Sequence, residues 1–131
     1  MSFLFLRSHY SLSYRTFQLF LHLRSHHESC VLTAGRKTNA VHYWSLHDNK
    51  ILRKFRGHSA PVSDISLSPT EDLFLTAAED RTVQLWNIQQ AGCVAKMDLP
   101  TETEGIPRAV FDSTGMVFAV MAAMTGGQGH Y

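Results

Sequence analysis

His58, Thr76 and Asp80 carry the side-chain types of a nucleophilic triad: an imidazole, a hydroxyl and a carboxylate. A hydroxyl nucleophile on an α/β scaffold needs a glycine-framed strand-to-helix turn. Thr76 lies instead in the glycine-free run Leu73-Phe74-Leu75-Thr76-Ala77-Ala78. Catalysis is therefore not expected, and no catalytic residue is assigned. His22, His26 and His27 lie close to Cys30 and have the types of a zinc set. On a strand-turn-strand path, however, His26 and His27 point to different faces. They read as solvated turn histidines, with no metal site. Gly126-Gly127-Gln128-Gly129 has the composition of a phosphate loop, but no helix start follows it. It reads as a loop between strands, and no cofactor is expected.

The elements that carry these residues are repeated. Segments 27–33, 70–76 and 113–119 align at a spacing of 43 positions, and Trp44 and Trp86 stand 42 apart. Each segment is a short polar turn followed by an apolar strand. Val62, Ile65 and Leu67 interleave with Ser63, Asp64 and Ser66 before the turn Ser68-Pro69-Thr70-Glu71-Asp72. Residues 73–77 make the next strand, Glu79-Asp80-Arg81 turns the chain, and residues 82–86 return. Ala91-Gly92 turns again, and residues 93–99 can supply a fourth strand. Phe17, Leu19, Leu21 and Leu23 alternate with polar neighbours and fit an inner strand of the preceding blade. Four short strands per period of 40–45 residues is the pattern of one blade of a WD propeller.

The middle repeat resembles the WD-repeat family residue by residue. It contains Gly57-His58, then Asp80, then Trp86-Asn87 where the family usually has Trp-Asp. The resemblance implies a buried structural hydrogen-bond network of His58, Thr76, Asp80 and Trp86. Donor and acceptor types suit such a chain: indole N–H only donates, carboxylate only accepts, and hydroxyl and imidazole do both. The neighbouring repeats are weaker. Around Trp44 the aspartate position is Thr38, the dipeptide is Trp44-Ser45, and the glycine-histidine pair is missing. The third repeat reaches Tyr131 before a tryptophan of its own.

The expected fold is all-β: a partial WD-repeat β-propeller of about two to three four-stranded antiparallel blades. Residues 1–16 form an unassigned leader, and 17–131 the partial propeller. Within it, 17–56 are a degenerate blade, 57–99 the best-defined repeat and 100–131 a truncated repeat. The leader is acid-free and contains arginine and serine, as mitochondrial presequences do. Its strand-like alternation favours an extra leader with no targeting role.

Composition narrows the rest. With 12 Lys+Arg against 11 Asp+Glu the net charge is +1, so no global field draws the chain to nucleic acid. No apolar run approaches the roughly 20 residues of a membrane helix. Cys30 and Cys93 are read as reduced thiols in buried strands.

Further stretches sharpen the resemblance: Ser45-Leu46-His47-Asp48-Asn49-Lys50, Phe55-Arg56-Gly57-His58, residues 62–69, Val110-Phe111-Asp112-Ser113-Thr114-Gly115 and Val117-Phe118-Ala119. They are similar to the WD-repeat subunits of COMPASS-type histone methyltransferase complexes. That similarity implies a nuclear, non-catalytic scaffold acting in chromatin and transcription. Its partners would be subunits of a histone H3 lysine-4 methyltransferase complex, with a link to RNA polymerase II. It implies no cofactor, no membrane and no sequence-specific nucleic acid. The alternatives are a WD-repeat adaptor in ubiquitin ligation or RNA 3′-end processing, or a truncated product without independent function. Ser59, Glu79 and Arg81 flank loops that open on one end of a propeller, and they are candidate partner-facing positions as much as ordinary rim.

Overall fold

The structure is a computed structural model that describes residues 19–25, 28–35, 39–70 and 72–124, with side chains from Cys30 onward except Ile106 and Met124. Ten strands occur among the described residues: β1 (Leu19–Ser25), β2 (Glu28–Ala34), β3 (Val41–Ser45), β4 (Lys50–Phe55), β5 (Val62–Leu67), β6 (Leu73–Ala78), β7 (Thr82–Asn87), β8 (Gly92–Asp98), β9 (Thr103–Phe111) and β10 (Phe118–Met124). They form three antiparallel sheets in sequence order, β1-β2-β3-β4, β5-β6-β7-β8 and β9-β10. This is a partial propeller: two four-stranded blades and the first two strands of a third.

The blades stack face to face. Leu32, Val41 and Phe55 of the first sheet pack with Val62, Phe74 and Trp86 of the second. Leu75, Ala77 and Val83, on the other face of the second sheet, pack with Ala109 of the third, flanked by Phe111 and Val120. The middle blade is thus covered on both faces. That explains why β6 reads as an apolar run without alternation: Phe74 and Ala78 face one neighbour, Leu75 and Ala77 the other. Phe55 meets Phe74 edge-on at 4.8 Å, and Phe74 stacks on Trp86 at 6.1 Å.

The polar positions of β5 do not face solvent. Ser63, Asp64 and Ser66 are buried and tie the second blade to β9. The Ser63 hydroxyl lies 2.7 Å from the Pro107 carbonyl oxygen and 3.1 Å from that of Ala77. The Asp64 carboxylate accepts from the Ala109 amide at 3.3 Å. The Ser66 oxygen accepts from the Phe111 amide at 3.0 Å. Residues 107, 109 and 111 alternate along β9, so their polar groups point away from β10 and need partners.

Two sequence expectations change. Cys93 is exposed, not buried, because β8 is the outer edge strand of its sheet; Cys30 is buried as expected, and both thiols are free. In the third repeat the strand begins only at Phe118. Met116 and Val117 stay in a turn that Asp112 closes, accepting amides from Gly115 on its carbonyl and from Val117 on its side chain. Gly115 holds φ +73° in this turn, and a Cβ there would lie 2.9 Å from Pro69 Cδ. The third blade's turn therefore docks on the second's. The leader 1–16, Phe17, His26, His27, Thr38 and Gly126–Gly129 lie outside the described residues, as does the side chain of His22.

The β3–β4 and β7–β8 hairpins share one design. In the first, Ser45 Oγ accepts the Asp48 amide at 3.3 Å, and Asn49 takes φ +53°. In the second, Asn87 Oδ1 accepts the Gln89 and Gln90 amides at 2.9 and 3.0 Å, and Ala91 takes φ +55°. One side-chain oxygen performs the capping, so Asn87 serves where the family usually has aspartate. Asparagine tolerates the left-handed region, but alanine is penalised there by about 1–2 kcal/mol. Ala91→Gly removes that penalty and adds back some unfolded-state entropy. A net stabilisation of about 0.5–1 kcal/mol is expected, read as a higher urea midpoint. An unchanged or lower midpoint would show that Ala91 carries no strain.

Candidate functional site

The best-organised polar cluster lies at one end of the second blade. β6 places Thr76, β7 places Thr82, Gln84 and Trp86, and the turn between them places Asp80. His58 arrives from the loop after β4. Gly57 makes that approach possible, since a Cβ there would sit 2.8 Å from Gln84 Oε1 and 2.9 Å from Trp86 Cη2. The glutamine tip can swing away. The indole cannot, because Trp86 is packed between Phe55 and Phe74.

Four of the sequence-predicted residues meet here. Trp86 Nε1 donates to Thr76 Oγ1 at 2.9 Å. Thr76 Oγ1 lies 2.5 Å from His58 Nε2, and His58 Nδ1 lies 3.0 Å from Asp80 Oδ2. One proton assignment satisfies all of them. The indole N–H donates to the threonine oxygen, the threonine O–H to Nε2, and Nδ1–H to the carboxylate. The imidazole is then neutral. Burial is the largest influence on His58 and pulls its pKa below the usual value of 6.5; the Asp80 hydrogen bond and charge oppose this without reversing it.

Asp80 collects more than the imidazole. It accepts from the Ser59 amide at 2.9 Å, the Thr82 amide at 3.0 Å and the Thr82 hydroxyl at 2.7 Å. Burial pushes its carboxyl up, but the hydrogen bonds from Thr82, Ser59 and His58 together outweigh it and hold the pKa below 3.8. The carboxylate thereby locks both loops of this end. The turn backbone is fixed as well: Arg81 holds φ +64° and its carbonyl accepts the Leu99 amide at 2.8 Å, while the Glu79 amide donates to the Pro61 carbonyl.

Chemically this is a structural relay. The Thr76 hydroxyl is fully buried beneath the indole and the imidazole, so no substrate carbon can approach it. Ser59, Glu79 and Arg81 are exposed above the relay, on loops that Asp80 holds in place. Sequence reasoning did not include Thr82 and Gln84. Thr82 Oγ1 lies 3.0 Å from His58 Nδ1, and Gln84 Nε2 donates to the Gly57 carbonyl at 3.3 Å. A polar residue at alternate positions of an otherwise apolar strand, flanking Trp86, was the available signal. The first blade keeps half of the relay, with Trp44 Nε1 donating to Thr33 Oγ1 at 2.8 Å. Thr33 and Thr76 stand at the 43-residue repeat spacing.

Linkage gives a direct test. The folded state holds both His58 and Asp80 below their ordinary pKa values. Each contributes stability that is present above its unfolded pKa and lost as the pH falls through its folded one. The unfolding midpoint is expected to decline on acidification below about 6.5, where the unfolded chain's imidazole takes up a proton that the folded His58 resists, and further below about 3.9, where the unfolded chain's carboxyl does the same for Asp80. In His58→Gln the first decline should shrink. A midpoint that rises between neutral and mildly acid pH would show a charged imidazole in the fold.

The WD domain, G-beta repeat family matches residues 49–87, the stretch that carries His58, Thr76, Asp80 and Trp86. The chain belongs to the WD-repeat family. Curated relatives extend the likeness beyond that repeat. An uncharacterized WD repeat-containing protein of Schizosaccharomyces pombe is 42% identical over 98 residues, covering 73% of this chain and 28% of that one. WD repeat-containing protein 82 of Drosophila melanogaster is 34% identical over 99 residues, 76% of this chain and 30% of that one. The Set1 complex component swd2 of S. pombe is 33% identical over 96 residues, 72% of this chain and 26% of that one. This WD-repeat chain thus spans less than a third of the length of these relatives. They are named as repeat proteins or complex components, not as enzymes.

Proposed function

We propose that this chain is a non-catalytic WD-repeat scaffold that contributes propeller blades to a COMPASS-type complex methylating lysine 4 of histone H3, in the nucleus. The observation that carries the reading is the similarity over 96 residues to a component of the Set1 complex. The rigid construction of the second blade supports it: a relay that spends every polar group on internal bonds leaves a firm rim for protein contact. Ser59, Glu79 and Arg81 are the partner-facing positions in this reading. They are exposed, and the turns beneath them are held by Asp80. Proximity of the complex to RNA polymerase II is part of the same proposal.

The test is capture from nuclear extract with the tagged chain, followed by a histone H3 methylation assay on the beads. Recovery of a lysine-4 methyltransferase, reduced by Glu79→Lys with Arg81→Glu at an unchanged unfolding midpoint, is the expected result. Recovery of none, while a tagged Set1 complex component recovers it from the same extract, would overturn the assignment.

A further inference from the structure

The outer strands of the two complete blades occupy the same place in the fold and differ in charge. β4 and β8 are each the last strand of a four-stranded sheet, and among the described residues each has one edge paired and the other free. Both carry a register shift at the same position, at Leu52 in β4 and Val94 in β8, and both bulge residues are exposed. The bulge is common to both edges and so does not account for a difference in charge between them. Residues 50–56 hold four cations, Lys50, Arg53, Lys54 and Arg56, and no acid. The matching residues 92–98 hold Lys96 and Asp98, which cancel. The architecture therefore does not require the cationic row.

Among the described residues, no carboxylate pairs with the charges in this row. The Arg53 guanidinium donates to the Gln89 carbonyl of the neighbouring blade. Lys50, Lys54 and Arg56 are exposed, and among the described residues none meets a carboxylate at ion-pair distance. Lys54 and Arg56 bear on His42 across the strand, where, after burial, their charge helps depress the imidazole pKa. Between the cations, Ile51 is 39% and Leu52 45% exposed.

We propose that β4 is a docking edge for an extended acidic peptide, with aspartate or glutamate side chains meeting Lys54 and Arg56 on the face that carries His42 and Lys50 on the opposite face, apolar side chains on Ile51 and Leu52, and backbone hydrogen bonds to the free edge. From Lys50 to Arg56 the strand spans about 20 Å at 3.3 Å per residue, the reach of a peptide of similar length. Exposed aliphatic side chains among the cations favour a peptide over a nucleic acid, which would want aromatic faces for its bases, and the strand supplies none. The inference is independent of which assembly the chain joins.

Fluorescence anisotropy with the full 131-residue chain tests it. The probe is a labelled peptide of repeated Glu-Glu-Val-Val, which places acids and apolar side chains on both of its faces; the comparators are its Lys-Lys-Val-Val counterpart and a single-stranded oligouridylate of equal charge. Saturable binding of the glutamate peptide alone is expected, weakened by added salt. Lys50→Glu, Lys54→Glu and Arg56→Glu together should raise its Kd by about tenfold or more, and Lys96→Glu on β8 should not. Should the triple variant lose its strand signal in circular dichroism, Lys54→Glu alone and methylation of alternate peptide amides give the same readout. No saturable binding, equal damage from Lys96→Glu, or tighter binding of the oligouridylate would overturn the proposal, the last by assigning the row to nucleic acid.

Discussion

Trp86→Ala should cost this chain about 3–5 kcal/mol of stability, the range for truncating a buried tryptophan. The indole is 2% exposed and lies between Phe74, stacked on it, and Phe55, edge-on to it. Its loss opens the interface between the first two blades as well as the core of the second. Trp86→Phe separates the packing from the hydrogen bond. Phenylalanine retains most of the apolar surface but lacks the N–H, leaving the Thr76 oxygen without the donor now at 2.9 Å. That variant should lose about 1–3 kcal/mol. Thr76→Val tests the same bond from the other side, and the double variant should cost less than the sum by about 0.5 kcal/mol or more. The measurement is urea unfolding followed by circular dichroism. A Trp86→Phe change within about 0.5 kcal/mol, the range of surface substitutions, would mean that the indole N–H has no buried partner worth keeping.

The middle blade was legible in the sequence because several local signals agreed there. The residues of β5, β6 and β7 alternate or cluster as strands should, their turns carry proline, glycine and aspartate, and the tryptophan repeats. The meeting of His58, Thr76, Asp80 and Trp86 was also expected, because the repeat resembles the WD-repeat family at those positions and their donor and acceptor types suit such a chain. Other features were hidden for physical reasons. Ser63, Asp64 and Ser66 look like the solvent side of an alternating strand, yet they serve the polar groups of β9, some 45 residues away in sequence. Pairing across blades has no local periodicity to betray it. Cys93 was misplaced because its neighbours are apolar, while burial depends on whether a strand is central or at the edge. The cationic row of β4 was visible in composition, but its meaning needed β8 beside it for comparison.

Asp80→Ala is the severest test of the relay as a single unit. The carboxylate accepts from the Ser59 amide, the Thr82 amide, the Thr82 hydroxyl and His58 Nδ1–H, and its side chain is only 7% exposed. Alanine orphans all four donors at once. Each hydrogen bond to a charged acceptor contributes about 1.5–3 kcal/mol, but the donors share one acceptor group and some regain water. A loss of about 3–4 kcal/mol is therefore expected, below the simple sum. Asp80→Asn asks a subtler question. One amide oxygen can still serve Thr82, but the amide nitrogen would then face two donors, the Ser59 amide and Nδ1–H. The imidazole can relieve one conflict by moving its proton to Nε2. Nδ1 would then accept from the asparagine, and Thr76 would receive two donors while its own O–H lost its partner. The expected outcome is a smaller loss than for alanine, with the imidazole nitrogen shifts reporting the Nε2–H tautomer in Asp80→Asn and the Nδ1–H tautomer in the wild type. Identical tautomers in the two proteins would show that Asp80 does not set the proton on His58. The ordered chain from indole to carboxylate would then have to be replaced by independent bonds.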